Sequence, residues 1–117
     1  MSGQISHYAG EAAEDIVSRF YSGQGYAEQE RRWRGPVGEI DLILSQDGMT
    51  VFVEVKKSKD FATAASRVSA RQIGRIEASA AGYMARLALG QSSEARIDVA
   101  LVDAAGAVEV LENVTLH

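Results

Sequence analysis

Three residues of the stretch GEIDLILSQDGMTVFVEVKK, which spans 38–57, have types and spacing that could do chemistry. Asp41 interrupts the apolar run IDLIL, Glu54 interrupts VFVEV, and Lys56 follows Glu54 by two positions. Asp47-Gly48 between the runs is a strong signal for a two-residue hairpin loop, which fixes the register by pairing Gln46 with Met49. Counting back, Ile43 faces Phe52, Asp41 faces Glu54 and Glu39 faces Lys56. Side chains alternate along a strand, so Glu39, Asp41, Glu54 and Lys56 share one face of the sheet. Ile40, Leu42, Val53 and Val55 share the other, the expected core face. Opposed residues in such a ladder have Cβ atoms about 4.5–5.5 Å apart, a distance at which like charges repel.

Two readings of that charged face are open. A solvated sheet face would carry Glu39 and Lys56 as a cross-strand ion pair, as half-exposed antiparallel hairpins commonly do. That reading accounts for Glu39 and Lys56 but gives no reason to oppose two carboxylates. A divalent cation does give one, because Mg²⁺ is held by one or two carboxylates together with water and substrate phosphates. Lys56 would then point into the same space, toward a phosphate or a water. A slip of one residue in register would move the two carboxylates apart.

The elements that position these residues follow from periodicity and punctuation. In YAGEAAEDIVSRFYS (8–22), Ala9, Ala12, Ala13, Ile16 and Phe20 recur at helical spacing, and Gly23 or Gly25 stops the run. A modest strand over 26–34, YAEQERRWR, is broken by Gly35-Pro36. Strands at 37–45 and 49–57 flank the hairpin loop. Ser66 to Leu89 reads as one long second helix with Val68, Ile73, Ile76, Ala80, Tyr83 and Leu87 as its buried stripe and Gly90 as its stop. Short strands at 96–102 and 107–112 close the chain. The order α-β-β-β-α-β, with an extra final strand, implies an α/β fold, and 117 residues without repeat or linker fit one domain, 1–117.

Composition narrows the function classes. There is no cysteine, so disulfides and Cys-based metal sites are excluded. No apolar run approaches a membrane span, and MSGQISHYAGEAAEDIV lacks the basic start and apolar centre of a secretory signal; a cytoplasmic location and no membrane partner are the expectation. The formal net charge of −4 is unevenly placed: residues 31–75 carry +4 and the remainder −8. Arg67, Arg71 and Arg75, four apart, form a basic stripe on the second helix. Together with Arg31, Arg32, Arg34, Lys57 and Lys59 they form a candidate nucleic-acid-binding set, since phosphate contacts supply most such affinity; the alternative for each is a solvated face.

An Asp on one strand followed by Glu-x-Lys on the next, here Asp41 and Glu54-Val55-Lys56, resembles the PD-(D/E)xK nuclease superfamily. GEAAEDIVSRFYSGQGY, RRWRGPVGEIDLI, VFVEVKK and RIDVALV frame the motif and narrow the match. This looks like the uncharacterised bacterial YraN-like family and, more distantly, archaeal Holliday-junction resolvases, from about Tyr8 to about Val102. The resemblance implies a restriction-endonuclease-like core with a mixed central sheet flanked by helices. It implies that Asp41 and Glu54 bind Mg²⁺ or Mn²⁺ with the Val55 carbonyl, and that Glu11 on the first helix completes the set. Lys56 would orient or deprotonate the attacking water, and Glu39 and Gln72 would support the site. The implied reaction is metal-assisted phosphodiester hydrolysis in DNA, branched or otherwise structured forms included, and a homodimer would suit cutting two strands.

The sequence also departs from the pattern. The family's arginine two residues beyond the motif lysine is Ser58 here, and the lysine that often opens the second helix is replaced by Arg71 and Gln72. Neither change touches the metal-binding set, but both weaken the implied substrate contacts; the replaced arginine and the acidic net charge motivate the alternative, a catalytically inactive module of the same fold that binds nucleic acid or protein. Trp33 could stack on an unpaired base or pack on a neighbouring strand. Arg96 and Asp98, alternate residues of one strand, read as an ion pair at a sheet edge.

Overall fold

The structure is a computed structural model that describes the backbone of residues 2–87 and 94–114 and the side chains of 12–87 and 94–114. Its elements are α1 (Ser2–Ser22), β1 (Ala27–Arg34), β2 (Glu39–Gln46), β3 (Met49–Lys57), α2 (Phe61–Ser66), α3 (Ala70–Met84), β4 (Glu94–Val102) and β5 (Val108–Leu111). The five strands form one mixed sheet in the order β1-β2-β3-β4-β5. Only β3 and β4 are parallel among these neighbours, and the crossover between them carries α2 and α3. No helix of the described residues is long and apolar enough to cross a membrane.

Apolar side chains on both faces explain the unbroken run VFV in β3. Ile43, Phe52, Ile97, Val99 and Leu101 pack beneath Ile73, Ile76, Ala80 and Met84 of α3 and Ala64 of α2. Leu42, Leu44, Val51, Val53, Ala100 and Val102 pack beneath Ala13, Val17 and Tyr21 of α1. A sheet covered on both sides has no solvated face to alternate toward, and each fully buried aliphatic or Phe side chain contributes roughly 1.5–3 kcal/mol. The α1 stripe runs through residues 13, 17 and 21; it keeps Ala13 of the expected set and otherwise lies one position beyond Ala12, Ile16 and Phe20. Ile16 is partly buried, whereas Ala12 and Phe20 are exposed.

The expected second helix over 66–89 is shorter, α3 (Ala70–Met84), and a separate short helix not expected from the sequence, α2 (Phe61–Ser66), precedes it. Asp60 caps α2, its carboxylate accepting from the Thr63 N–H at 2.7 Å, and Ser69 caps α3, its hydroxyl accepting from the Gln72 N–H at 3.1 Å. A serine in extended conformation competes for the backbone and starts a new helix, which is why the run breaks there. The buried stripe itself holds, with Val68, Tyr83 and Leu87 against the same core. The expected stop at Gly90 lies outside the described residues.

The hairpin register is the expected one from Leu42–Val53 to Gln46–Met49, with Ile43 opposite Phe52. Asp47 (φ 49°) and Gly48 (φ 83°) both take the left-handed conformation that a two-residue loop of this kind requires. Beyond Leu42 the pattern changes. Ile40, expected beside Leu42 and Val53, sits instead on the α3 face with Ile43 and Phe52. The cause lies in β1, where Arg32 adopts φ 52° and breaks the alternation of side chains. Arg31 and Arg32 both reach α1, while Trp33, the cross-strand partner of Ile40, turns to the α3 side. At this end β2 follows β1 and separates from β3.

Candidate active site

That separation positions the carboxylates. In place of a further ladder rung, the Asp41 Oδ2 accepts a hydrogen bond from the Val55 backbone N–H at 2.8 Å. The N–H and carbonyl of an extended residue point to the same side, so the Val55 carbonyl also faces β2. Glu54, 8% exposed, is next in line; its Oε1 lies 3.4 Å from the Lys56 Nζ and accepts from the Gln72 Nε2 at 3.4 Å. Lys56 thus pairs with Glu54 along its own strand, not with Glu39 across the hairpin, because Glu39 is carried off by β2 to pair with Arg34 of β1.

A cleft of about 280 Å³ opens over the pair, lined by Gly38, Glu39, Asp41, Glu54, Gln72, Arg75 and Ile76. One wall is the turn Gly35–Gly38, closed by the Gly35 N–H donating to the Gly38 carbonyl at 2.9 Å and pinned to α3 by the Ser79 hydroxyl donating to the same carbonyl at 3.0 Å. Gly35 is required there: a Cβ would stand 2.5 Å from the Ser79 Oγ. The other wall is α3, which aims Gln72 and Arg75, one turn apart, into the same space.

The electrostatics of the pair are unbalanced. Burial, then the neighbouring Glu54, pushes the Asp41 carboxyl from its ordinary 3.8 up to about 7, against the pull of the Val55 N–H. Burial also raises Glu54, opposed by the Lys56 charge, a hydrogen bond shared with Asp41 and the Arg75 charge. Two acids that both bind protons more tightly than usual have an unmet demand for positive charge. Among the described residues no three acids or histidines converge on one metal position. Two carboxylates and a main-chain carbonyl nevertheless suit an ion that keeps most of its waters. The side chain of Glu11, on α1, lies outside the described residues.

The basic set divides. Arg34, Lys57, Lys59, Arg67, Arg71 and Arg75 are exposed. Arg31 is tied to Asp15 and, at 2.8 Å, to Glu28; Arg32 is bound to Glu14 at 2.9 Å. These two serve the packing of α1 on β1. Arg67 caps the end of α2, so the stripe spans two helices. Trp33 packs edge-on against Tyr83 at 5.2 Å with the Arg86 guanidinium 5.9 Å over its ring, which fills the space a stacked base would need.

Residues 13–102 match the uncharacterised protein family UPF0102. The chain belongs to that family. A UPF0102 protein of Cereibacter sphaeroides (strain ATCC 17029) is 50% identical over 113 residues, 97% of each chain. One from Roseobacter denitrificans is 51% identical over 112 residues, 96% of this chain and 87% of its own. A third, from Ruegeria pomeroyi, is 50% identical over 115 residues, 98% and 94% of the two chains. The matched UPF0102 segment spans the cleft residues from Gly38 to Ile76 and also Asp98, in the RIDV element.

Asp98 departs most from its expected place. It is not at a sheet edge, because β5 covers β4, and it is fully buried. Its oxygens accept from the Tyr21 hydroxyl at 2.7 Å, the Arg96 Nε at 3.0 Å and the Asn113 N–H at 3.0 Å. The expected pair with Arg96 does form. Alternation puts Asp98 on the face opposite Ile97 and Val99, and the sequence carries no signal that α1 covers that face. Arg75 is the second departure: its place in a regular stripe hides its place in the cleft, and only its three-residue spacing from Gln72 points there.

Proposed function

We propose that this UPF0102 chain is a divalent-metal-dependent nuclease that hydrolyses phosphodiester bonds in DNA. The observation that carries this reading is the Asp41–Glu54 pair, with Glu54 buried and Asp41 half-buried, Lys56 beside Glu54, and both acids lining a cleft with Arg75. Asp41, Glu54 and the Val55 carbonyl would hold Mg²⁺ or Mn²⁺, which supplies Lewis acidity at phosphorus and a more acidic water. The superfamily resemblance of the D…ExK pattern supports the same assignment.

The chain's own groups have distinct tasks. Lys56, 3.4 Å from Glu54, would orient the attacking water and hold charge that builds on the phosphoryl oxygens. A P–O bond forms from that water, the P–O bond to the leaving nucleotide breaks, and the water's proton passes to solvent while the leaving oxygen takes one up. Gln72 keeps Glu54 in place through its 3.4 Å contact. Arg34, Lys57, Lys59, Arg67 and Arg71 track the flanking backbone, which makes binding salt-dependent.

The test is cleavage of a panel of linear, branched and looped DNA in Mg²⁺ and Mn²⁺, with Asp41→Asn and Lys56→Ala run alongside. Cleavage by the natural chain and at least ~100-fold less by either variant is the expected result. Equal, background-level products from all three would overturn the reading. Salt-dependent binding without products would favour the non-catalytic module, for which the replacement of the family's arginine by Ser58 speaks.

A further inference from the structure

We infer that Arg75 is the residue that grips the scissile phosphate, a contact distinct from the backbone tracking of the other exposed cations; the inference rests on the nuclease reading. Arg75 lines the cleft with Gly38, Asp41, Glu54 and Gln72, whereas Arg67 and Arg71 do not. Across the opening, a Cβ on Gly38 would stand 4.0 Å from the Arg75 Cβ, so the turn and the helix approach closely at this point.

What separates Arg75 from the other arginines is a guanidinium not committed to a carboxylate together with a place in the cleft. Arg31, Arg32 and Arg96 are committed to carboxylates of the fold. Lys56 is engaged with Glu54 at 3.4 Å. Among the described residues none is placed at ion-pair or hydrogen-bond distance from the Arg75 guanidinium, although three cleft acids, Glu39, Asp41 and Glu54, are at hand. A planar fork of donors held beside a carboxylate pair, but bound to neither, is complementary to two oxygens of a phosphate. Ile76 next to it is buried in the core and Gln72 a turn before it is tied to Glu54, so its helix is held at both positions. The fork is therefore presented on a rigid element, where it binds charge that grows as phosphorus is attacked.

The experiment has two readouts on the full chain. Single-turnover cleavage is measured for the natural protein, Arg75→Ala, Arg75→Lys and Arg71→Ala. In parallel, modification of each arginine by phenylglyoxal is followed by mass spectrometry with and without a branched DNA oligonucleotide in Ca²⁺. We expect Arg75→Ala to lower the rate at saturating DNA by ~10²–10³-fold, as loss of a donor to developing charge does. Arg75→Lys, a point charge without the fork, should recover part of that loss. Arg71→Ala should weaken DNA binding, and DNA should shield Arg75 more than Arg71. A saturated rate in Arg75→Ala within twofold of the natural one overturns the inference and leaves the nuclease reading intact. Shielding of Arg75 without any cleavage would keep the phosphate contact and remove the hydrolysis reading. Neither shielding nor cleavage would remove both.

Discussion

Two acidic centres lie on opposite faces of one sheet, and they follow opposite rules. On the α1 side, Asp98 is enclosed and matched donor for acceptor by Tyr21, Arg96 and the Asn113 N–H, and Arg96 in turn donates to the Tyr26 hydroxyl at 3.0 Å. On the α3 side, Asp41 and Glu54 face each other with one short donor, the Val55 N–H, and two contacts of 3.4 Å to Glu54. The first centre has its charge cancelled by the fold. The second leaves negative charge uncancelled beneath an open cleft. Burial of an acid therefore does not distinguish the two centres; the match between charge and donors does.

The comparison breaks most easily at Asp98. Asp98→Ala would leave the Arg96 guanidinium and the Tyr21 hydroxyl without their buried partner, and removing one member of a buried pair costs roughly 3–5 kcal/mol. Denaturant unfolding should show that loss as a lower midpoint. A loss below about 1 kcal/mol would mean that Asp98 is not a structural keystone, and the contrast between the faces would fail. Tyr21 reports on the same centre, because burial and then Asp98 push its phenol well above its ordinary range.

Asp41 should respond with the opposite sign. Its folded-state pKa of about 7 lies above the ordinary 3.8, so the folded chain binds more protons than the unfolded chain between those values. Stability attached to the protonated form is complete below about pH 4 and is lost as pH rises through about 7. Glu54 shifts in the same direction and adds to the slope. Asp41→Asn keeps an oxygen for the Val55 N–H and removes the charge. It should flatten this part of the stability–pH curve and raise stability at pH 8 by roughly 1–2 kcal/mol. A destabilised Asn variant, or an unchanged slope, would show that the two carboxylates are already neutralised. Saturating Mg²⁺ should flatten the natural chain's slope in the same way.

The hairpin half of this site is legible in the sequence alone. A two-residue loop with a left-handed signature sets the pairing of β2 and β3 locally, and local chemistry can be read from neighbours in sequence. What cannot be read depends on distant partners. Ile40 changes faces because Arg32, eight positions earlier, takes a left-handed conformation and α1 holds it through Glu14. Periodicity carries no trace of that. The break at Ser69 is readable as a cap, yet a helical stripe that continues across both helices conceals it. Arg31 and Arg32 read as phosphate contacts because sequence gives charge and not partner, and the partners sit on a helix some 16 and 18 residues away. Asp98 and Arg75 escape for the same reason.

The smallest expected effect separates wall from charge. Ser79 is fully buried in α3 and donates to the Gly38 carbonyl, which the Gly35 N–H also serves. In Ser79→Ala that carbonyl therefore keeps one partner, no buried group is orphaned, and the loss should be that of one neutral hydrogen bond, about 1 kcal/mol. The turn loses an anchor to α3, but Asp41 and Glu54 keep every donor they have. The stability–pH slope assigned to Asp41 should then be superimposable on that of the natural chain after a constant offset. If the slope shrinks instead, the turn is what keeps the carboxylates dry and close, and the imbalance on this face belongs to the cleft wall as much as to the acids. A constant offset would place it in the two carboxylates themselves, where a cation can answer it.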